Sequence, residues 1–194
     1  MSTLTEKSYH HGELSTALVS AALALLAEDG ADAVSLRAVA RRAGVSAMAP
    51  YRHYPDKEAL LAAVAARGFD GLREALRAAD DAAPPRQALT AQAVAYVRYA
   101  LDNPALFRLM FGLKRLGTHP ELAAAGEAAY AVLAARVAAE PGGADREART
   151  LGCWSLVHGL ASLFLDGLIA GKASDSAEDM TQRVATAMVA AKEI

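Results

Sequence analysis

Apolar residues recur along this chain at intervals of three and four, and nowhere does an apolar and polar alternation of period two last long enough for a strand. Leu14, Leu18, Ala22, Leu25 and Leu26 share one face and predict a first helix over residues 13–28, with Gly30 as its left-handed stop. Ser35 caps a second helix whose Leu36, Val39, Ala40 and Ala43 face inward and which ends at Gly44. A short third helix comes next, over residues 46–53. A long fourth carries Leu61, Val64, Gly68, Leu72 and Leu76 on one face, with Gly68 and Gly71 weak enough to admit a bend. Beyond Pro84-Pro85 the breaks at Asn103-Pro104, 117–120, 141–143 and 171–175 leave helices near 86–102, 104–112, 119–139, 145–170 and 175–192. The expected fold is all-α, with about nine helices.

Composition narrows the class. The chain has 194 residues, 54% of them hydrophobic and 22% charged, which suits an ordinary globular protein with one or two domains. The single cysteine, Cys153, forbids an internal disulfide, and no apolar run precedes the polar stretch 7–13 as a secretory signal would require. Residues 151–169 are the most apolar stretch, yet Trp154, Ser155, His158, Ser162 and Asp166 interrupt it. A bilayer core accepts such residues only at a cost of several kcal/mol, so a buried helix is expected, no membrane contact, and a cytoplasmic address.

A net charge of −2 carries no global sign of nucleic-acid binding. The local distribution does. Between Ser35 and Lys57 stand Arg37, Arg41, Arg42, Arg52 and Lys57, against Asp56 as the one acid. In the same stretch Ala40 is small where two helices would cross, Gly44 can take positive φ four residues later, Val45 plugs the core beneath the turn, and Ser46 caps the next helix. That spacing describes two short helices meeting steeply, with cations on either side. Arg41 and Arg42 fit either a DNA contact or a solvated face. Tyr9, His10, His11 and Gly12 fit either a minor-groove arm or a plain lead-in, and two adjacent histidines make a poor metal site.

Continued through Tyr51, His53, Tyr54, Lys57 and Leu60, this block resembles the helix-turn-helix of the TetR family of regulators. The match is tight over about the first 60 residues and loose over the remainder. It implies a helix-turn-helix domain over residues 1–58 with an arm at 1–12, and a ligand-binding and dimerisation domain over 59–194. It further implies phosphate contacts from Tyr51, His53 and Lys57, with Ser35 and Arg37 reaching the neighbouring backbone, and base edges read by Ser46, Ala47, Met48 and Arg52. Pro50 departs from the commonest pattern and belongs to this group as a residue that stiffens the reading head. Ala47 and Met48 hydrogen-bond poorly, which turns readout toward thymine methyls and groove shape. The resemblance implies a repressor released by a small molecule from a palindromic operator.

In the C-terminal part, Leu151, Trp154, His158, Ala161, Leu165 and Leu168 line one side of a helix while Leu156, Leu160, Leu163 and Gly167 line nearly the opposite one. A helix apolar on both sides needs two covers, and the simplest second cover is the same helix of another copy. Met180, Val184 and Met188 on the last helix complete a four-helix homodimer interface. Trp154, His158 and Gly159 also resemble a TetR subgroup named for a Trp-His-Gly signature. Tyr96, Tyr99, Phe107, Met110 and Phe111 join Trp154 and His158 as candidate pocket residues; their scarcity of charge favours an apolar or aromatic effector, though all of them also fit a plain core.

An enzyme is not expected. Cys153 and His158, the best nucleophile pair, point about 140° apart on a helix, and no phosphate loop, zinc motif or serine-triad signature is present. No cofactor or metal is expected either. The competing reading is a helical adaptor that has lost DNA binding, against which the intact block from Arg37 to Lys57 argues.

Overall fold

The computed structural model describes residues 11–112, 119–141, 145–169 and 176–190. Tyr9 and His10 of the expected arm lie outside them. All regular structure among the described residues is helical, in eight α-helices: α1 (His11–Asp29), α2 (Leu36–Ala43), α3 (Lys57–Ala82), α4 (Ala88–Asp102), α5 (Pro104–Gly112), α6 (Pro120–Ala139), α7 (Arg146–Leu165) and α8 (Ala177–Ala190).

The missing ninth is the expected third helix. Ala49 N–H donates to the Ser46 carbonyl, and Pro50–Arg52 forms one 3-10 turn in place of an α-helix over 46–53. The prolyl ring supplies the reason, because it has no N–H for a bond back to Ser46 and its fixed φ favours the first position of a new turn. The ring itself is buried.

Around this turn the small N-terminal bundle is tightly specified. Ser35 accepts from Ala38 N–H at 3.1 Å, and Gly44 takes φ 69° and ψ 30°, so that the N–H of Val45 reaches the Ala40 carbonyl at 3.0 Å. Leu18, Ala22, Leu26, Val34, Val39 and Leu60 lie fully buried beneath it. The Tyr54 hydroxyl shares a 2.8 Å hydrogen bond with Ser15 of α1, which makes Tyr54 a core residue.

Asp56 caps α3 by accepting from Ala59 N–H at 2.8 Å, and the helix then runs unbroken through Gly68 and Gly71. Its two glycines serve close approach. A Cβ at Gly68 would lie 2.7 Å from the Met110 sulfur and one at Gly71 would lie 2.8 Å from the Tyr99 hydroxyl, so α5 and α4 settle directly on the α3 backbone. α6 covers another side of α3, and α7 and α8 close the bundle over α4. By length and hydropathy α6 would suffice to cross a membrane, yet here it packs between α3 and α7.

α7 stops at Leu165, earlier than the expected 145–170. Gly167 takes φ 69°, its N–H reaches the Phe164 carbonyl at 3.0 Å, and Leu168 N–H reaches the Leu163 carbonyl at 2.9 Å. This closing motif puts Gly167 beyond the helix, where it cannot belong to the helical face on which it was expected.

Candidate nucleic-acid interface and ligand cavity

The turn after α2 projects its tip into solvent. Met48 is 69% exposed and Tyr51 44%, while Ser35, Arg37, Arg41, Ser46, Ala47 and Arg52 are exposed around them. Short cap and turn hydrogen bonds hold the backbone, so these side chains stand on a rigid mount. Pro50, counted with this group from sequence, faces the core and offers no surface.

The cations are not equivalent. Arg42 makes a bidentate pair with Glu28 of α1, both bonds 2.6 Å, and this holds the Glu28 carboxyl below its usual range. Lys57 donates to the Ala31 carbonyl at 3.0 Å, tying the start of α3 to the loop between α1 and α2. His53 is half-buried, with its ring centroid 6.3 Å from that of Tyr54.

Behind this head α3 leads into the larger bundle, where α3, α4, α5, α6, α7 and α8 enclose a cavity of about 630 Å³. Phe69, Leu72 and Leu76 of α3 form one wall, Leu122, Gly126 and Tyr130 of α6 another, and Cys153, Trp154 and Val157 of α7 a third. The volume lies within the range of ordinary small-molecule sites.

Of the candidate pocket residues, Tyr96, Phe111 and Trp154 line this cavity. His158 and Phe107 stand behind them, with ring centroids 4.5 Å and 4.8 Å from that of Phe111. Trp154 Nε1–H donates to the Tyr96 hydroxyl at 3.4 Å, and that hydroxyl lies 3.0 Å from His158 Nδ1. Burial depresses the His158 pKa, favouring the neutral ring; with the imidazole proton on Nε2, the Tyr96 hydroxyl donates to Nδ1. Burial also pushes the Tyr96 phenol above the ordinary tyrosine range.

Tyr99 and Met110 are placed elsewhere, against Gly71 and Gly68 of α3. Burial pushes the Tyr99 phenol up to about 12.

Sequence reasoning missed the polar end of the cavity. Gln92 of α4 is only 2% exposed, and its Nε2 donates to Asp80 at 2.8 Å. Asp80 is gripped by Arg136 of α6 through bonds of 2.6 and 2.5 Å, which hold its carboxyl below the usual range. A readable signal existed, because Gln92 interrupts the apolar series Leu89, Ala93 and Tyr96 at helical spacing.

The candidate interface residues divide. Leu156 and Met188 line the cavity, Met188 while 57% exposed, so it stands at the rim. Leu163 is exposed, Leu160, Met180 and Val184 are half-buried, and Leu151 and Leu168 add exposed apolar surface.

Residues 18–64 match the family model described as bacterial regulatory proteins, tetR family, and residues 89–188 match that described as tetracyclin repressor-like, C-terminal domain. The chain belongs to the TetR family. The C-terminal match carries that description, and no Trp-His-Gly subgroup is named in it. Among relatives, the HTH-type transcriptional regulator Rv2250c of Mycobacterium tuberculosis, itself uncharacterized, is 30% identical over 142 residues, which is 69% of this chain and 73% of the relative. A protein of unknown function from Rhodococcus sp. RHA1 superposes with a TM-score of 0.81 at 34% identity, over 94% of this chain and 96% of that one. A tetR-family regulatory protein from Rhodococcus RHA1 shares the fold, with a TM-score of 0.64 at 24% identity, over 90% of this chain and 94% of that one. This TetR regulator therefore has a DNA-binding N-terminal part and a ligand-binding C-terminal part.

Proposed function

We propose that this regulator is a cytoplasmic, homodimeric repressor without enzymatic activity, released from a palindromic operator when a small apolar molecule enters the cavity. The observation that carries the reading is the double use of α3. Its first residue, Lys57, is tied to the loop beside the reading head, and its Phe69, Leu72 and Leu76 wall the cavity. A ligand that displaces that wall tilts a helix whose other end positions the DNA-reading tip, and two heads joined by symmetry then lose their spacing of about one DNA turn.

In this reading the division falls at residues 1–58 and 59–194. Tyr51, His53, Lys57, Ser35 and Arg37 face phosphates, whereas Ser46, Ala47, Met48 and Arg52 face base edges. The dimer forms through α7 and α8, whose exposed Leu151, Leu163 and Met188 favour a cover from a second copy. Fluorescence anisotropy on a labelled palindrome from the neighbouring promoter, at two salt concentrations, tests the DNA half of the proposal. Tight binding that weakens steeply with salt is expected. Binding no stronger than to random duplex would overturn it.

A further inference from the structure

The two ends of the cavity differ in chemistry. The Tyr130 and Trp154 rings meet edge to face with centroids 5.6 Å apart. From that contact, later residues of α6 and earlier residues of α7 both lead toward the connection between these helices, so Leu133 and Arg149 share one end of the cavity. Arg136 and Gln92 both bond Asp80, which brings Leu76 and Leu89 to the same end. Phe69, Phe111 and Leu122 wall the opposite end, and the Phe69 and Phe111 centroids are 5.2 Å apart. Lining residues on α6 run from Leu122 to Leu133, roughly 16 Å of helix at about 1.5 Å per residue, so the cavity is elongated.

Most polar groups on the lining are already occupied or sealed. Gln92 gives its amide N–H to Asp80 and its oxygen has no accessible surface, while the Tyr96 hydroxyl is shared by Trp154 and His158. The Tyr130 hydroxyl differs. It makes no hydrogen bond among the described residues, and its oxygen keeps accessible surface. Arg149 is half-buried and is the one cation among the described lining residues. Its guanidinium has five donors in a planar fork, so it can keep a partner within the protein and still receive a carboxylate. Gly152, one turn along α7, puts exposed lining beside it. Glu127, the one acid among the described lining residues, is exposed to water and stands roughly 9 Å of helix from Leu133 toward the other end.

We infer that the cavity accepts an elongated amphipathic acid, its carboxylate held by Arg149 and the Tyr130 hydroxyl and its hydrocarbon body reaching toward Phe69 and Phe111. The inference rests on reading the cavity as the effector site, and it gives the apolar effector one charged end. Trp154 is the sole tryptophan of the chain and lines the cavity, so its emission reports occupancy directly.

The full-length protein is titrated at neutral pH with decanoate, methyl decanoate and decylammonium while Trp154 emission is recorded, with calorimetry as a second readout. Decanoate is expected to saturate the signal at a concentration about tenfold or more below the other two, the gain anticipated from hydrogen bonds to a charged group. Arg149→Gln should remove that advantage, and Tyr130→Phe should weaken decanoate several-fold. Methyl decanoate or decylammonium binding as well as decanoate overturns the acidic class while leaving an occupied cavity. A decanoate preference undiminished in both variants overturns the residues assigned to the carboxylate. No response to any of the three overturns the effector-site reading as well. Since the ligands are compared first on the wild-type chain, a variant that fails to fold does not decide the class.

Discussion

The Tyr99 hydroxyl donates to the Gly68 carbonyl oxygen at 2.7 Å, and it reaches that oxygen by passing over Gly71, where a Cβ would stand 2.8 Å from it. Gly71→Ala therefore sets two effects against each other. Alanine gains about 1 kcal/mol of helix propensity, whereas displacing a half-buried phenol and its hydrogen bond costs about 1–3 kcal/mol. The steric term should win by about 1 kcal/mol, lowering the melting temperature by about 2–4 °C in calorimetry. In a Tyr99→Phe background the obstructing hydroxyl is gone, and the same substitution should become neutral or stabilising. A Gly71→Ala penalty of equal size in both backgrounds would show that the hydroxyl is not the obstacle.

Basic residues of the reading head should separate in a salt titration. Arg37→Ala is expected to lower the slope of log affinity against log salt by about one unit, the signature of one lost phosphate contact. Arg42→Ala should leave the slope nearly unchanged, since its guanidinium is already occupied by Glu28. Tyr51→Ala and Lys57→Ala should each weaken operator binding by about tenfold, with the dimer intact by sedimentation. Unchanged affinity in both would remove them from the DNA contact.

His158 gives stability a dependence on pH. Burial lowers its folded-state pKa below the ordinary value of 6.5, so between the two values the unfolded chain binds more protons than the folded one. The contribution is full above about pH 6.5 and is lost as pH falls through the folded-state value. The stability difference between wild type and His158→Gln, from urea melts, should consequently change as pH is lowered from about 7 to about 5, with the wild type losing more. Parallel curves would mean that His158 does not titrate differently in the two states.

Arg136→Leu tests the polar end of the cavity. It leaves Asp80 at 21% side-chain exposure with only the Gln92 amide as partner, and a loss of about 2–3 kcal/mol is expected in chemical denaturation. The double change Arg136→Leu with Asp80→Leu should recover much of it, because no unpaired charge then remains. A double variant as unstable as the single one would count against this account.

The breaks between helices were legible because Gly30, Gly44, Pro84-Pro85 and Asn103-Pro104 each act through local chemistry. Periodicity likewise identified Leu18, Val39 and Val64 as core, and those three are fully buried. What failed depended on neighbours distant in sequence. Gly68 and Gly71 suggested a weak helix, whereas α4 and α5 use them as landing places. Gly167 looked like a small residue on a helical face and is the left-handed stop that ends α7. Gln92 broke an apolar series at helical spacing, but what it pairs with was not legible, because Asp80 and Arg136 lie on other helices and meet only after the bundle closes.

Met188 shows both an exposed side and a cavity-lining side, and Gly152, likewise exposed on the lining, has open space around the position of a Cβ. Exposed lining thus reaches the surface beside α7 and α8, where in the proposed dimer a second copy would settle. Assembly and exchange then become coupled events: ligand should arrive and depart faster from dilute protein, where single chains prevail, than from concentrated protein. Stopped-flow recording of Trp154 emission across a range of protein concentrations would reveal that dependence, and rates indifferent to concentration would place the passage elsewhere.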